Sequence, residues 1–320
     1  TGDVQVLLFI LILSGTLSAA DWPQWLGPGR DAVWQEDGIL DAFPKEGPKL
    51  RWRAPLGGGY SGPAVAQGRV FVMDRIAELI DPAKAKVLHE GQPPRNENFL
   101  RKLFPGQERL LCLDEATGRV LWTQQWDCPY TTVATYAIGP RATPTVDGDH
   151  VYALGAEGHL FCFAAKDGAI VWQKDFKKAY NLKIPEWGTA AHPLVDGDRL
   201  ICVVGGAGTT CVAFDKRTGK ELWRALTSRQ PGYCPPVIHT FGSLRQLIIW
   251  HSDAVEALNP QTGKVYWSVP LRPTFGMSIG QPVATGSRLF VMSFNRVSAC
   301  IEVAADGQSA QIAWRGNTRR

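Results

Sequence analysis

No stretch of this 320-residue sequence is long and apolar enough for a comfortable membrane span; the longest such run, Val4 to Leu13, is well short of the ~20 residues required. The seven cysteines (112, 128, 162, 202, 211, 234 and 300) form no CxxC, no adjacent pair and no CxxCH. Metal-finger, thioredoxin-type and haem-attachment motifs are therefore unsupported. The sequence also lacks a Walker motif, an HExxH and a G-x-S-x-G. One string, Gly57-Gly58-Gly59-Tyr60-Ser61-Gly62, satisfies G-x-G-x-x-G literally, but Pro63 and a strand pattern follow where a dinucleotide site needs a helix. Net charge is small as well: Lys and Arg exceed Asp and Glu by only four, with no basic run that would suit nucleic acid. The six histidines (89, 150, 159, 192, 239 and 251) are scattered along the chain.

What the sequence has is glycine (33), proline (22) and tryptophan (12), a composition suited to short strands and turns. It also repeats itself. "LDEATGRVLW" (113–122), "FAAKDGAIVW" (163–172), "FDKRTGKELW" (214–223) and "LNPQTGKVYW" (258–267) share one shape. Gly118, Gly168, Gly219 and Gly263 each stand four residues before Trp122, Trp172, Trp223 and Trp267. Asp114, Asp215 and Asn259 stand four residues before three of those glycines, with Ala164 in the second copy. A small residue (Cys112, Cys162, Ala213, Ala257) precedes each of these by two. A looser fifth copy runs through Asp306-Gly307 to Trp314.

The pattern describes a hairpin. Asp or Asn accepts backbone N–H groups at the turn, Gly takes the positive φ, and alternation sets the Trp on one face of the outgoing strand. A second element, Pro–strand–Gly turn–strand, precedes each hairpin: "PAVAQGRVFV" (63–72), "PTVDGDHVYA" (144–153), "PLVDGDRLIC" (193–202), the stretched "PVIHTFGSLRQLIIW" (236–250) and "PVATGSRLFV" (282–291). Each unit thus reads as four strands, and from Trp122 to Trp314 the spacings are 50, 51, 44 and 47 residues. That period with four strands per unit predicts an all-β propeller whose recurring Trp wedges between blades. Cys202 and Cys211 flank a glycine-rich turn and are read either as a hairpin pair joined as a disulfide in an exported protein or as small buried strand residues.

The pattern A-x-D-x-x-T-G-x-x-x-W at Ala213–Trp223 resembles the tryptophan-docking motif of quinoprotein-type propellers, among them the PQQ dehydrogenases and BamB-like assembly factors. "DWPQWLGPGRDAVW" (21–34) is similar to the opening of exported planctomycete-type members. The resemblance implies a closed ring of seven or eight blades, with Trp52 of "LRWRAPLGGGY" on an N-terminal strand that completes the last blade. Five full units are present, so the chain is read as a fragment of a protein of roughly 400–450 residues. Residues 1–20 read as a partial signal peptide with a cleavage site at Ser18-Ala19-Ala20, and no Cys follows it for a lipid anchor. Residues 21–50 form an extended segment, 51–316 the repeats and 317–320 a tail. An insertion at 75–109, mixed in charge and carrying Pro93-Pro94, reads as a surface loop with room for a helical turn.

A propeller binds through its central channel and the loops at its mouth, so candidate ligand residues are those entering each innermost strand, Tyr60, Arg141, His192, Tyr233 and Gln281, with Trp187 just ahead of the third entry. Aromatic rings with one Arg and one His suit a flat anion, or simply fill the channel. No catalytic residue and no metal ligand is assigned. The reading is an exported, non-catalytic, monomeric scaffold in the periplasm or outside the cell, partnered by other envelope proteins, with no cofactor and no membrane span after signal cleavage. The alternatives are a dehydrogenase using PQQ and Ca²⁺ to oxidise an alcohol or sugar, or a ligand sensor.

Overall fold

A computed structural model describes residues 20–77, 81, 83–89, 91–96, 99–131, 139–295 and 297–316. The segment read as a signal peptide, apart from Ala20, and the 317–320 tail lie outside the described residues. Among those described, no helix is long and apolar enough to cross a membrane.

Five antiparallel four-stranded sheets follow one another along the chain as the blades of a propeller. Blade 1 comprises β1 (Ala64–Ala66), β2 (Arg69–Ala77), β3 (Gly106–Asp114) and β4 (Val120–Asp127). Blade 2 comprises β5 (Thr145–Asp147), β6 (His150–Leu154), β7 (His159–Ala164) and β8 (Ile170–Asp175). Blade 3 comprises β9 (Leu194–Asp196), β10 (Arg199–Val203), β11 (Cys211–Asp215) and β12 (Glu221–Ala225). Blade 4 is β13 (Val237–Phe241), β14 (Leu244–Trp250), β15 (Ala254–Leu258) and β16 (Val265–Pro270), and blade 5 is β17 (Val283–Thr285), β18 (Arg288–Ser293), β19 (Val297–Val303) and β20 (Ala310–Arg315).

Both faces of a blade are apolar, because alternate residues of its middle strands serve the two neighbours. On β10, Leu200 and Cys202 pack towards blade 2, with Tyr152, Leu154 and Cys162. Ile201 and Val203 of the same strand pack towards blade 4, with Leu247 and Ile249. This alternation overturns the proposed disulfide. Cys202 pairs across the ladder with Val212 and Cys211 with Val203, so the two thiols project from opposite faces into different cores. Both are free and buried. Spacing suggested a partner; a register offset of one residue removes it.

The repeated phrase works as a lock between blades. The indole N–H of Trp122 donates to the Ala165 carbonyl (3.1 Å), Trp172 to Lys216 (3.0 Å) and Trp223 to Pro260 (3.2 Å), each on the next blade's turn. Trp52 does the same to Glu115 (2.7 Å), although it lies in an extended segment outside any described sheet. Each of these rings covers the turn glycine: a Cβ on Gly219 (φ 69°) would sit 2.7 Å from the Trp172 ring. The small residue of the motif lies directly opposite the Trp, as with Cys162 and Trp172 or Ala213 and Trp223. A bulge follows that pair in all five blades and sets the ring at its angle to the neighbour. Asp215 caps its turn by accepting from Thr218 N (2.8 Å) and Thr218 Oγ1 (2.8 Å).

Two boundaries differ from the sequence reading. Residues 75–77 and 106–109 of the insertion belong to β2 and β3, which run on in register from Arg69↔Asp114 to Ala77↔Gly106. What remains is closed on itself by the Val87↔Lys102 bridge and tied by the Phe104↔Tyr130 bridge to the segment just after β4, with Ala85 and Phe104 buried and no α-helix among its described residues. The one described α-helix, α1 (Phe176–Tyr180), follows β8 instead, where Asp175 caps it by accepting from Lys177 N and Lys178 N.

Candidate functional site at the channel mouth

The segments entering the innermost strands are bonded to one another around the channel. Ser61 Oγ donates to Ala142 O (3.0 Å), Thr143 N to His192 Nδ1 (2.8 Å) and Tyr233 N to Ser278 O (2.9 Å). The glycine string leads into this ring against β2: Gly58 exchanges backbone bonds with Arg75, and a Cβ on Gly57 would lie 2.3 Å from Arg75 O. Only glycine permits that approach, which accounts for the string without a nucleotide.

The main departure from the sequence reading is the N-terminal segment. Residues 21–32 do not trail outside the repeats; they lie along the channel and touch all five blades. Trp22 exchanges two backbone bonds with Val65 (2.8 and 2.9 Å), and Pro23 O accepts from Val146 N (2.8 Å). Arg30 reaches Pro193 O (2.9 Å), His192 O (3.3 Å) and Pro236 O (3.3 Å), while Gln281 donates to the Arg30 carbonyl. Leu26 (φ 60°), Arg30 (φ 53°) and Ala32 (φ 60°) take left-handed conformations, each costing about 1–2 kcal/mol for an L-residue, which only a well-bonded segment sustains. Burial pulls the Arg30 pKa down to about 10, so the guanidinium keeps its charge at neutral pH, held by carbonyl dipoles.

Between this segment and blades 3 to 5 lies a cavity of about 1210 Å³. Arg141, Trp187, His192, Tyr233 and Gln281 all line it; Tyr60 does not, but its ring lies under the Arg141 guanidinium (4.6 Å). Trp187 and Tyr233 meet nearly edge-on (6.0 Å, 63°). Trp25 of the N-terminal segment stacks on His192 (4.2 Å, 8°), a partner that the sequence reading did not supply. Its only sequence signal was a Trp among glycines and prolines, which is also what a loop looks like. Burial, reinforced by Arg30, lowers the His192 pKa to about 3; the ring is a neutral acceptor, fixed by Thr143, and not a proton shuttle. Burial raises Tyr233 to about 12 and lowers Arg141. Arg141 makes no side-chain hydrogen bond or ion pair with another described residue.

A calcium-bound quinone would need a different lining. Ca²⁺ takes about six to eight oxygen ligands. Among the described lining residues the sole carboxylate is Asp31, which already accepts from Val33 N (3.0 Å). That donor set does not fit the group.

Fold and channel together define a quinoprotein-like β-propeller built on tryptophan docking. Within that class, the family model for outer membrane protein assembly factor BamB matches residues 106–317, and the chain belongs to that family. The BamB of Burkholderia pseudomallei is 32% identical over 133 residues, 40% of this chain and 31% of that one. The BamB of Bordetella pertussis is 26% identical over 233 residues, 65% of this chain and 55% of that one. The chain therefore spans about half or less of the length of these relatives. A quinone-dependent 1-butanol dehydrogenase of Thauera butanivorans is 26% identical over 152 residues, 42% of this chain and 23% of the enzyme. The crystal structure of BamB from Moraxella catarrhalis superposes with a TM-score of 0.50 at 15% identity, covering 85% of this chain and 78% of that one, a likeness of fold.

Proposed function

We propose that this chain is a non-catalytic interaction scaffold of the cell envelope, exported and docking other envelope proteins as its BamB relatives' name implies for them. The observation that carries the reading is the chemistry of the channel mouth: residues from the 21–32 segment line one side of the cavity, with the Arg30 guanidinium bonded to backbone carbonyls of blades 3 and 4, where a calcium-bound quinone would ask for oxygen ligands. A lining with one carboxylate supports the same view. Propeller blades then serve as a rigid frame, and recognition falls to exposed loops and edges.

The test is a titration of the purified protein with PQQ and Ca²⁺, following tryptophan fluorescence and dye-linked alcohol oxidation, beside sedimentation with purified outer-membrane assembly proteins of the same organism. The expected result is a saturable protein complex with no alcohol oxidation. Turnover would overturn the scaffold reading. A second reading, ligand sensing without chemistry, has one feature in its favour: the 1210 Å³ cavity presents, among aromatic rings, an Arg141 side chain with no hydrogen-bond or ion-pair partner among the described residues. Saturable quenching of Trp25 and Trp187 without turnover is its expected signature.

A further inference from the structure

The seam between blades 1 and 2 holds buried chemistry that the channel does not use. Glu108 on β3 is fully buried. Its carboxylate accepts from the Tyr130 hydroxyl, from Ala156 N (3.0 Å) and from Trp126 Nε1 (3.3 Å). Its equally buried neighbour Glu157 has an ion-pair partner, Lys177 Nζ at 2.9 Å; Glu108 has none among the described residues. Arg75 stands directly opposite Glu108 in the β2–β3 ladder. The Arg75 guanidinium nevertheless turns to Phe104 O (2.8 Å), Pro105 O (2.9 Å) and the face of Tyr130 (4.3 Å). Arg75 thus acts on Glu108 by charge without bonding to it, and a buried carboxylate with no directly bonded cation is costly, so the site has room for a proton or a positive ion.

The neighbours of Glu108 distinguish between the two. Cys128 Sγ, His159 Nδ1 and a Glu108 oxygen all lie within 4.8 Å of one another, with Sγ and Nδ1 3.8 Å apart. Zn–S and Zn–N bonds of about 2.3 and 2.0 Å at a tetrahedral angle put sulfur and nitrogen roughly 3.5 Å apart. A thiolate, an imidazole and a carboxylate are the donor types zinc accepts, whereas Ca²⁺ and Mg²⁺ ask for oxygen alone.

We propose that Glu108, Cys128 and His159 bind one zinc ion, with a fourth position left to water, and that the ion staples blade 1 to blade 2. On binding, the Cys128 S–H bond breaks, its proton passes to solvent and a Zn–S bond forms; thiolate, carboxylate and Zn²⁺ then sum to zero charge. Placement suits a staple. Glu108 lies near the start of β3, Cys128 just beyond β4 and His159 at the start of β7, the opposite strand ends from the turn where Trp122 docks. Trp126 and Tyr130 position the carboxylate, as hydrogen-bond donors behind a metal ligand commonly do. The sequence gives no hint of this, since the three residues are 20 and 31 positions apart and on two blades.

The test uses the whole chain, reduced and stripped with a chelator, titrated with Zn²⁺ and separately with Co²⁺. One ion per chain is expected, and Co²⁺ should give a thiolate-to-metal charge-transfer band with the strong visible bands of tetrahedral geometry. Cys128→Ser should abolish the charge-transfer band. Trp126→Phe should keep the band and weaken affinity about tenfold. Absence of binding, an octahedral cobalt spectrum, or a thiolate band that survives Cys128→Ser would each overturn the site. The wild-type spectrum alone can do so, so misfolding of a variant does not protect the idea.

Discussion

Two seams of the same propeller are built differently. Between blades 2 and 3 the lock is direct: Trp172 covers Gly219 and its indole bonds to Lys216 O. Between blades 4 and 5 the Trp267 indole instead donates to Gln246 Oε1 (2.8 Å), and Gln246 Nε2 donates to Gly307 O (2.8 Å). The reason lies in the fifth copy of the motif. Its turn glycine stands seven residues before Trp314 where the others stand four before theirs, so its turn is displaced and the Trp267 indole bonds to a glutamine instead. Gln246 is fully buried in consequence. A seam can therefore lose its motif and keep its lock, provided one long polar side chain bridges the gap and satisfies both ends.

The largest way to break the comparison is Trp172→Ala, expected to cost about 3–5 kcal/mol in urea unfolding, because a buried wedge and its hydrogen bond go together. Trp314→Ala is its control: that ring is 48% exposed, and a change within about 1 kcal/mol is expected. Gly219→Ala comes next, at about 2–3 kcal/mol, since it adds left-handed strain to a Cβ pressed on the Trp172 ring. Gln246→Leu should cost about 2 kcal/mol by leaving the Trp267 N–H and the Gly307 carbonyl buried and unpaired. Arg199, at the same strand position in blade 3, makes no such relay, and Arg199→Leu should fall within about 1 kcal/mol of wild type. Equal losses for the two would show that the relay contributes nothing.

Acid should separate the seams most gently. His192 ties blade 3 to Thr143 of blade 2, while blades 4 and 5 meet there through backbone atoms, Tyr233 N and Ser278 O. The folded His192 pKa of about 3 lies below its ordinary value, so the unfolded chain binds a proton that the folded chain refuses. That stability is complete above about pH 6.5 and is lost as pH falls, by up to about 1.4 kcal/mol per pH unit. His192→Gln should flatten the dependence between pH 6.5 and 5.5, and an unchanged slope would show that His192 does not govern it.

The architecture was legible because a propeller repeats one local solution. Hairpin chemistry, the small residue opposite each Trp and the blade period are all short-range facts, and each reappears where the spacing put it. Trp52 docks on the turn of blade 1 as the other motif tryptophans dock on theirs, but the closing strand expected around it belongs to no described sheet. Of the channel residues, five of six line one cavity; Arg141, His192, Tyr233 and Gln281 do so because each enters an innermost strand, a position that the repeat itself defines, and Trp187 precedes one of these entries. The disulfide failed where spacing was asked to decide register, since Cys202 and Cys211 differ by one step in a two-residue period.

What the sequence alone determined, then, is everything that depends on neighbours along the chain: strands, turns, the wedge and the number of repeats. Tertiary structure decided which distant groups share a space. It brought residues 21–32 into the channel, set Trp25 on His192 and surrounded Arg30 with carbonyls of blades 3 and 4. It also gathered Glu108, Cys128 and His159 at one seam. No periodicity marks such residues, because what selects them is the packing of blade against blade, where burial obliges each polar group to find whichever partner the geometry delivers.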